Sequence, residues 1–413
     1  KRTPGTKDIL PNEVSSWQAI EETTRRIFSL YNYSEIRPPI IEEAALFFRS
    51  LGESAEIVQK QMFLIKKDKD VYALRPEGTA SVVRAYLENS LDKSAGLVKF
   101  YYIGPMFRAE RPQKGRLRQF HHLGCEVIGS EAPEADIEVI SLADNLLKAY
   151  KIEGYEIRIN SLGCAKDKKA LTEALRKRLK DKLNKLCDEC NNRFGSNVLR
   201  ILDCKNEGCV KIIQGLNIGH EHLCLECKGH FDKVIAGLDS LGVAYKINPY
   251  LVRGLDYYTR TVFEVIHNGN DLGAQNALGA GGRYDNLVKD LGGPALGAIG
   301  FAFGIERLLL VISPEPSAAK KKLVYVIMMG DAAKKEGIKL LDNLRRQGIA
   351  ADTDYENKSL KGAMRKANDL GAKYVLIIGE DELKNDTLTL KDMNSGEQKS
   401  INRGNILQEL KVS

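Results

Sequence analysis

Long apolar runs are missing from this 413-residue chain, and no apolar segment follows the opening cations of KRTPGTKDILPNE. The first absence excludes a membrane-spanning helix, and the second leaves no export signal to expect. No internal repeat stands out, which excludes solenoids and propellers. The glycine-rich run LGAGGRYDNLV at 278–288 has neither the Lys-Ser/Thr pair of a P-loop nor the glycine spacing of a dinucleotide fingerprint. With no secretory signal, the eight cysteines are expected to be reduced rather than to form a disulfide scaffold, and the chain to be cytoplasmic.

The composition is that of a globular protein, 43% hydrophobic and 28% charged. The length exceeds one compact core, so two or three domains are expected. A net charge of +7 permits a polyanionic partner without requiring one. Residues 14–31 carry helical periodicity, with Trp17, Ile20, Ile27 and Leu30 on one stripe. YSEIRPPIIEE reads as a strand that stops at its proline pair, VYALRP as a strand, and GTASVVRAYLENSL as a helix opening at Thr79. FYYIGPMFRAE and LRQFHHLGCEVIG form a predicted antiparallel hairpin across a polar, glycine-containing turn. Helix then strand follow at 134–150 and YEIRIN.

Between 161 and 241 the character changes to a charged helix at 166–185, a cysteine-rich stretch and a helix near 230–241, after which strand-rich sequence resumes. The expected organisation is therefore a region in two parts, 1–160 and 242–312, interrupted by an insertion at 161–241. A linker at 313–322 and a small α/β domain at 323–413 complete it.

Five cations, Arg108, Arg111, Lys114, Arg116 and Arg118, crowd the turn of the hairpin. Such a run is commonly a solvated face. Yet alternation places Arg108 and Glu110 on one face, with His122, Gly124 and Glu126 sharing a face of the return strand. Gly124 is expected to leave room there for a ligand. An arginine held by a strand is rigid enough to grip a phosphate with its planar fork. In RPEGTA, Glu77 sits at the mouth of a helix, where it serves either as part of a helix cap with Thr79 or as an ammonium receptor. LVRGLDYYTRTVFE sets Arg253 at a predicted strand end ahead of Tyr257 and Tyr258, which read as core packing or as pocket hydroxyl donors. In GFAFGIERLLL the small strand residues let a flat ring approach the backbone. Arg307 opens the next helix against its dipole, a placement that suits either a bound anion or an ion pair.

In this order the motifs resemble those of class II aminoacyl-tRNA synthetases. IRPPIIEE with its preceding helix resembles motif 1, GPMFRAERPQKGRLRQF motif 2, and GFAFGIERLLL motif 3. RPEGTA, LVRGLDYYT and GAGGRYDNL are similar to the signatures of the histidyl-tRNA synthetase family, and the resemblance extends over nearly the whole chain. It implies an α+β fold, an antiparallel sheet flanked by helices, with an inserted helical, cysteine-rich domain and a C-terminal α/β anticodon-binding domain. It also implies a homodimer. The implied activity is ATP-dependent activation of L-histidine to histidyl-adenylate, with Mg2+, and transfer to the 3′ end of tRNA(His). Carried over by residue, Arg108 and Arg253 are the catalytic pair. Glu77, Gly78 and Thr79 take the histidine α-amino group, and Glu126 and Tyr258 read the imidazole beside Tyr257. Glu110, Arg116 and Phe120 join Arg108 and Arg307 around ATP.

His122 departs from the family, which usually has Gln there; an imidazolium would repel the substrate ammonium, so histidine binding is expected to weaken more steeply below about pH 6.5 than in a His122→Gln protein. The bland reading is that His121 and His122 tolerate substitution at the pocket edge. A non-catalytic, histidine-binding regulatory paralogue is the alternative function, but such proteins tend to lose the ATP arginines and the C-terminal domain that this chain keeps. Cys187-x-x-Cys190 and Cys224-x-x-Cys227, which bracket Cys204 and Cys209, together suggest a structural Zn2+ site, with His220 and His222 as extra candidate ligands, against reduced cysteines packing a small core. Cys125 and Cys164 read as small buried apolar residues.

Overall fold

A computed structural model describes residues 1–52, 55–94, 96–269, 272–273, 276–312, 322–356 and 358–411. The chain divides into two compact units, Lys1–Pro314 and Glu315–Ser413. None of the described helices is long and apolar enough to cross a membrane. The expected linker at 313–322 lies outside the described residues except for Lys322.

The first unit is built on an eight-stranded sheet. Its central strands run antiparallel in the order Val98–Phe107, Gln119–Ile128, Ala298–Gly304, Ala277–Arg283, Thr259–His267 and Tyr155–Ser161. Short parallel strands, Ser34–Glu35 and Tyr245–Ile247, close its edges. The proline pair does break the strand near 36–40, but the chain then re-enters a separate three-stranded sheet at Ile41–Glu43. The period of two along Gln119–Ile128 divides the molecule. Leu123, Cys125 and Val127 point into a core with Trp17, Ile20 and Phe28 of the helix Pro11–Leu30 and with the helix Pro133–Ala149. His122, Gly124 and Glu126 point the other way. Leu30 departs from its predicted stripe: it is 72% exposed, and Thr24 and Phe28 complete the buried face instead.

The glycines of GAGGR, residues 279–283, lie in the strand Ala277–Arg283 rather than in a phosphate-cradling loop. Its Arg283 is fully buried, 2.7 Å from an equally buried Asp136 oxygen and 3.1 Å from Asp285, and so fixes the strand to the helix Pro133–Ala149. Breaking such a pair leaves an uncompensated buried charge, which makes this a structural arginine.

In the insertion, the charged helix Ala165–Leu179 buries Leu171, Leu175 and Leu179, one face at helical spacing, and continues as a 3-10 turn to Lys185. Two further helices, Asp188–Ser196 and Glu207–Gln214, precede the last one, Leu225–Ser240. The two CxxC pairs do not meet. Cys187 and Cys190 gather with Cys204 and Cys209, whereas Cys224 and Cys227 gather with Cys164 and Asp167. The expectation of one site from both pairs is therefore corrected, and Cys164 is not a buried apolar filler. Sequence separation along the chain does not reveal which helix ends fold back on each other.

The second unit has a five-stranded sheet in the order Ala351–Thr353, Val324–Met328, Tyr374–Ile378, Thr387–Asp392, Gln398–Asn402. Its first three strands are parallel and the last two antiparallel. The helices Asp331–Arg346 and Leu360–Asp369 follow its first two parallel strands in the chain, as expected of an α/β unit.

Candidate active site

The sheet face carrying His122, Gly124 and Glu126 is the floor of a cavity of about 180 Å³. Register sets its shape. Glu126 lies opposite Gly300, and Gly124 between Tyr102 and Ala302. A Cβ at Gly300 would land on the Glu126 carboxylate, so only glycine there lets the carboxylate lie over the sheet. The room at Gly124 is not ligand space, as the sequence suggested. Tyr102 occupies it, with its hydroxyl 2.6 Å from where a Cβ would stand. Tyr102 is a cross-strand neighbour, which the alternation of a single strand does not reveal.

One end of the cavity is acidic. Glu77 accepts hydrogen bonds from the backbone N–H groups of Thr79 at 2.7 Å and Ala80 at 2.8 Å, capping the helix Thr79–Glu88. The cap is thus Glu77 rather than Thr79, whose hydroxyl is free to donate to Glu126 at 2.7 Å. Glu126 also accepts from the hydroxyls of Tyr284 at 2.5 Å and Tyr102 at 3.2 Å. Burial pushes the Glu126 carboxyl up to about 8; the nearby Glu77 adds to this, and the hydrogen bonds from Tyr284 and Thr79 oppose it. Burial likewise raises Glu77. Tyr257 and Tyr258 line the same end with ring centroids 4.8 Å apart. Glu126 itself sits just behind the wall formed by Thr79, Tyr102 and Tyr284.

The other end is cationic. The Arg108 guanidinium lies 5.3 Å over the Phe120 ring, donates to the Pro76 carbonyl at 3.0 Å and stands 3.9 Å from Glu110. Arg116 pairs with the other Glu110 oxygen at 3.2 Å. Arg307, in the first turn of the helix Ile305–Val311, donates to the carbonyls of Gly115 at 2.9 Å and Ala277 at 2.7 Å. Burial, with Arg116 and Arg108 adding their repulsion, pulls its guanidinium down to about 10. Arginines that repel one another inside a cleft create a site for an anion. Arg253 is not at a strand end but in the irregular stretch before Thr259; it donates from Nη1 to Glu264 at 2.7 Å. Its buried Nε has no hydrogen-bond partner among the described residues.

His122 stands between the two ends, opposite Gly104 and Gly304, its ring edge-on to Phe120 at 5.0 Å. Its buried Nδ1 has no partner among the described residues. Burial, followed by Arg108, Arg307, Arg75 and His121, holds its pKa well below the ordinary 6.5. The expected loss of affinity on charging near pH 6.5 is corrected accordingly, because that ring stays neutral there. Histidine affinities of the wild type and of His122→Gln, measured by calorimetry without ATP, are expected to run parallel between about pH 6 and pH 8. Profiles that separate near pH 6.5 would show that the ring does charge in the pocket. His121 is not at the pocket edge: its backbone N–H and Nδ1 reach Glu306 at 2.9 Å, and its ring packs edge-on to Trp17.

Glu77, Gly78, Thr79, Arg108, Glu110, Arg116, Phe120, His122, Arg253, Tyr257, Tyr258 and Arg307 all line this cavity. Tyr102 and Tyr284, which hold Glu126, and Glu264, which holds Arg253, are not among the site residues expected from the sequence. Tyr284 lies within a quoted motif, and Glu264 shares a strand face with Val262, so alternation was a usable signal for it.

An antiparallel sheet with helices on one face, and on the other a cleft joining a buried acidic pocket to an arginine cluster, is the catalytic architecture of a class II aminoacyl-tRNA synthetase. A family model described as histidyl-tRNA synthetase matches residues 5–308, and one described as an anticodon binding domain matches residues 323–412. The chain is 45% identical over 405 residues to a histidine–tRNA ligase of Desulforamulus reducens, covering 97% of this chain and 96% of that one. It is 44% identical over 398 residues to a histidine–tRNA ligase of Geobacter metallireducens, covering 96% of each. The crystal structure of apo S. aureus histidyl-tRNA synthetase superposes with a TM-score of 0.82 at 36% identity, covering 99% of both chains. The chain belongs to the histidyl-tRNA synthetase family.

Proposed function

We propose that the chain is a histidine–tRNA ligase: it activates L-histidine with ATP to histidyl-adenylate and transfers the histidyl group to the 3′-terminal ribose of tRNA(His). The observation that carries this reading is the meeting of an ammonium-type pocket and an arginine cluster in one cleft. An amino acid bound across it places its ammonium at Glu77, Gly78 and Thr79 and its carboxylate toward Arg108, with Arg253 facing the α-phosphate that the carboxylate attacks. Tyr258, with Glu126 behind Thr79 and Tyr284, answers the imidazole nitrogens beside Tyr257. Buried partners of this kind reject side chains that lack those nitrogens. The adenine stacks on Phe120 near Glu110, and the phosphates lie among Arg108, Arg116 and Arg307. His122 stands near the substrate amino group as a neutral acceptor.

The substrate carboxylate attacks the α-phosphorus and pyrophosphate leaves, so no side-chain nucleophile is needed. Catalysis consists of positioning and of positive charge where the phosphoryl charge develops. Arg108 and Arg253 supply it. ATP is expected with Mg2+; the carboxylates that line the arginine end of the cleft are Glu110, paired with Arg116, and Glu306, held by His121. In the second step a ribose hydroxyl attacks the acyl carbon and AMP leaves. The domain at 323–413 takes the anticodon, and two copies of the chain form a homodimer.

The regulatory paralogue is disfavoured because Arg108, Arg253, Arg307 and the second unit are all retained. ATP–pyrophosphate exchange without tRNA tests the choice. Among the proteinogenic amino acids, histidine alone is expected to support exchange. Protein that binds histidine yet exchanges with none of them is the regulatory paralogue.

A further inference from the structure

The insertion holds seven cysteines with no function in the chemistry above, and four of them gather in one place. The Sγ atoms of Cys187, Cys190, Cys204 and Cys209 all lie within 4.8 Å of one another, and that of Cys187 stands 3.9 Å from that of Cys204. All four are free thiols. Four thiolates around a tetrahedral Zn2+, with Zn–S near 2.3 Å, have S···S edges of about 3.8 Å. The measured pair is already at that spacing. A closure of about 1 Å at most brings the widest pair there.

The backbone is arranged for anionic sulfur. Cys187 is the N-cap of the nine-residue helix Asp188–Ser196, and Cys190 lies in its first turn. Cys204 ends the short turn Val198–Asp203, and Cys209 lies in the first turn of the eight-residue helix Glu207–Gln214, whose N-cap Asn206 accepts from Gly208 and Cys209. The sulfurs of Cys187, Cys190 and Cys209 therefore sit at the positive ends of two helices. The Cys187 N–H donates to the Cys209 sulfur at 3.2 Å, and the Asn206 N–H to the Cys204 sulfur at 3.4 Å. Backbone N–H groups aimed at sulfur are what orients thiolate ligands and offsets their charge around a metal. Cys190 and Cys209 are fully buried, Cys204 nearly so and Cys187 half-buried, so three of the four sulfurs are shielded from solvent as in structural zinc centres.

We infer that Cys187, Cys190, Cys204 and Cys209 form a structural Zn2+ site, loaded as four thiols release their protons and four Zn–S bonds form. The other group differs: Cys224 is exposed and Cys164 half-buried, which leaves it open to solvent, and one of its four members is Asp167, which joins two helix starts by accepting from the Cys164 and Cys224 N–H groups at 3.2 and 3.1 Å. The metal has a structural consequence. The stretch between Cys190 and Cys204 rests on the segment that carries Arg253, through Asn197 to Asp256 at 3.1 Å and Arg200 to the Arg253 carbonyl at 3.4 Å. Tying both ends of that stretch to one ion holds it against the catalytic segment.

Zinc content of the full chain, purified under reducing conditions, tests the site. A Cys190→Ser protein is expected to contain about one zinc per chain fewer than the wild type, whereas Cys227→Ser keeps the wild-type amount. Since a serine variant can lose metal by unfolding, Co2+ is exchanged into the wild type as a second measurement. A tetrahedral visible spectrum with the sulfur-to-metal charge-transfer intensity of four thiolates is expected. Equal zinc in wild type and Cys190→Ser, loss from Cys227→Ser alone, or a cobalt spectrum of three thiolates or none would overturn the inference.

Discussion

An Arg253→Gln protein is expected to catalyse histidine-dependent ATP–pyrophosphate exchange about 10³-fold more slowly than the wild type, with KM for histidine changed by less than about tenfold. The guanidinium is held from one side only. Nη1 is fixed by Glu264 at 2.7 Å, while the buried Nε has no hydrogen-bond partner among the described residues. A donor kept dry and without an acceptor is poised for charge that appears only as the carboxylate meets the α-phosphorus. Removing a donor of that kind costs about 4 kcal/mol of transition-state stabilisation and little ground-state binding. The neighbouring contacts of this segment, Asn197 with Asp256 and Arg200 with the residue 253 carbonyl, do not use the side chain of residue 253, and a Gln amide can still donate to Glu264, so the local fold is expected to survive the change. Single-turnover adenylate formation is the measurement. A variant that lost only histidine affinity would show that Arg253 serves binding rather than the chemical step.

Glu126→Gln is expected to raise KM for histidine about 100-fold while leaving KM for ATP nearly unchanged. In the unliganded protein burial holds the Glu126 carboxyl near 8, so below that pH it is mostly neutral. A bound ammonium beside Glu77 and an imidazole N–H both favour the ionised form, and binding therefore releases a proton. The sign follows: that release costs more the lower the pH, so wild-type affinity rises between about pH 6.5 and pH 8 and flattens above it. The Gln protein cannot ionise there and loses this slope. Calorimetry in buffers of different ionisation enthalpy counts the protons directly. A wild type that releases none at neutral pH, with a slope shared by the variant, would leave Glu126 as only a prop for Thr79 and Tyr284.

Much of the site was legible because its residues sit in short motifs governed by period-two alternation and helix starts. Arg108, Glu77, His122 and Arg307 each face the cleft as their local pattern requires. What escaped was set by partners distant in sequence. Tyr102 fills the gap over Gly124 only because the register of the hairpin puts them opposite. The depressed pKa of His122 needs the arginines of three other segments around it. Leu30 left its stripe because the helix buries the arc through Thr24 and Phe28, which a coarse period does not separate from its neighbour. The cysteines regrouped because helix ends, not sequence intervals, decide which sulfurs meet.

The seat of Glu126 over Gly300 makes the two positions a single hereditary unit. Any side chain at 300 evicts the carboxylate, and a different residue at 126 leaves the glycine without its purpose. A lineage drifting toward another amino acid would have to change both at once or pass through a protein with a collapsed pocket. That barrier lies in strand register rather than in any contact with a ligand.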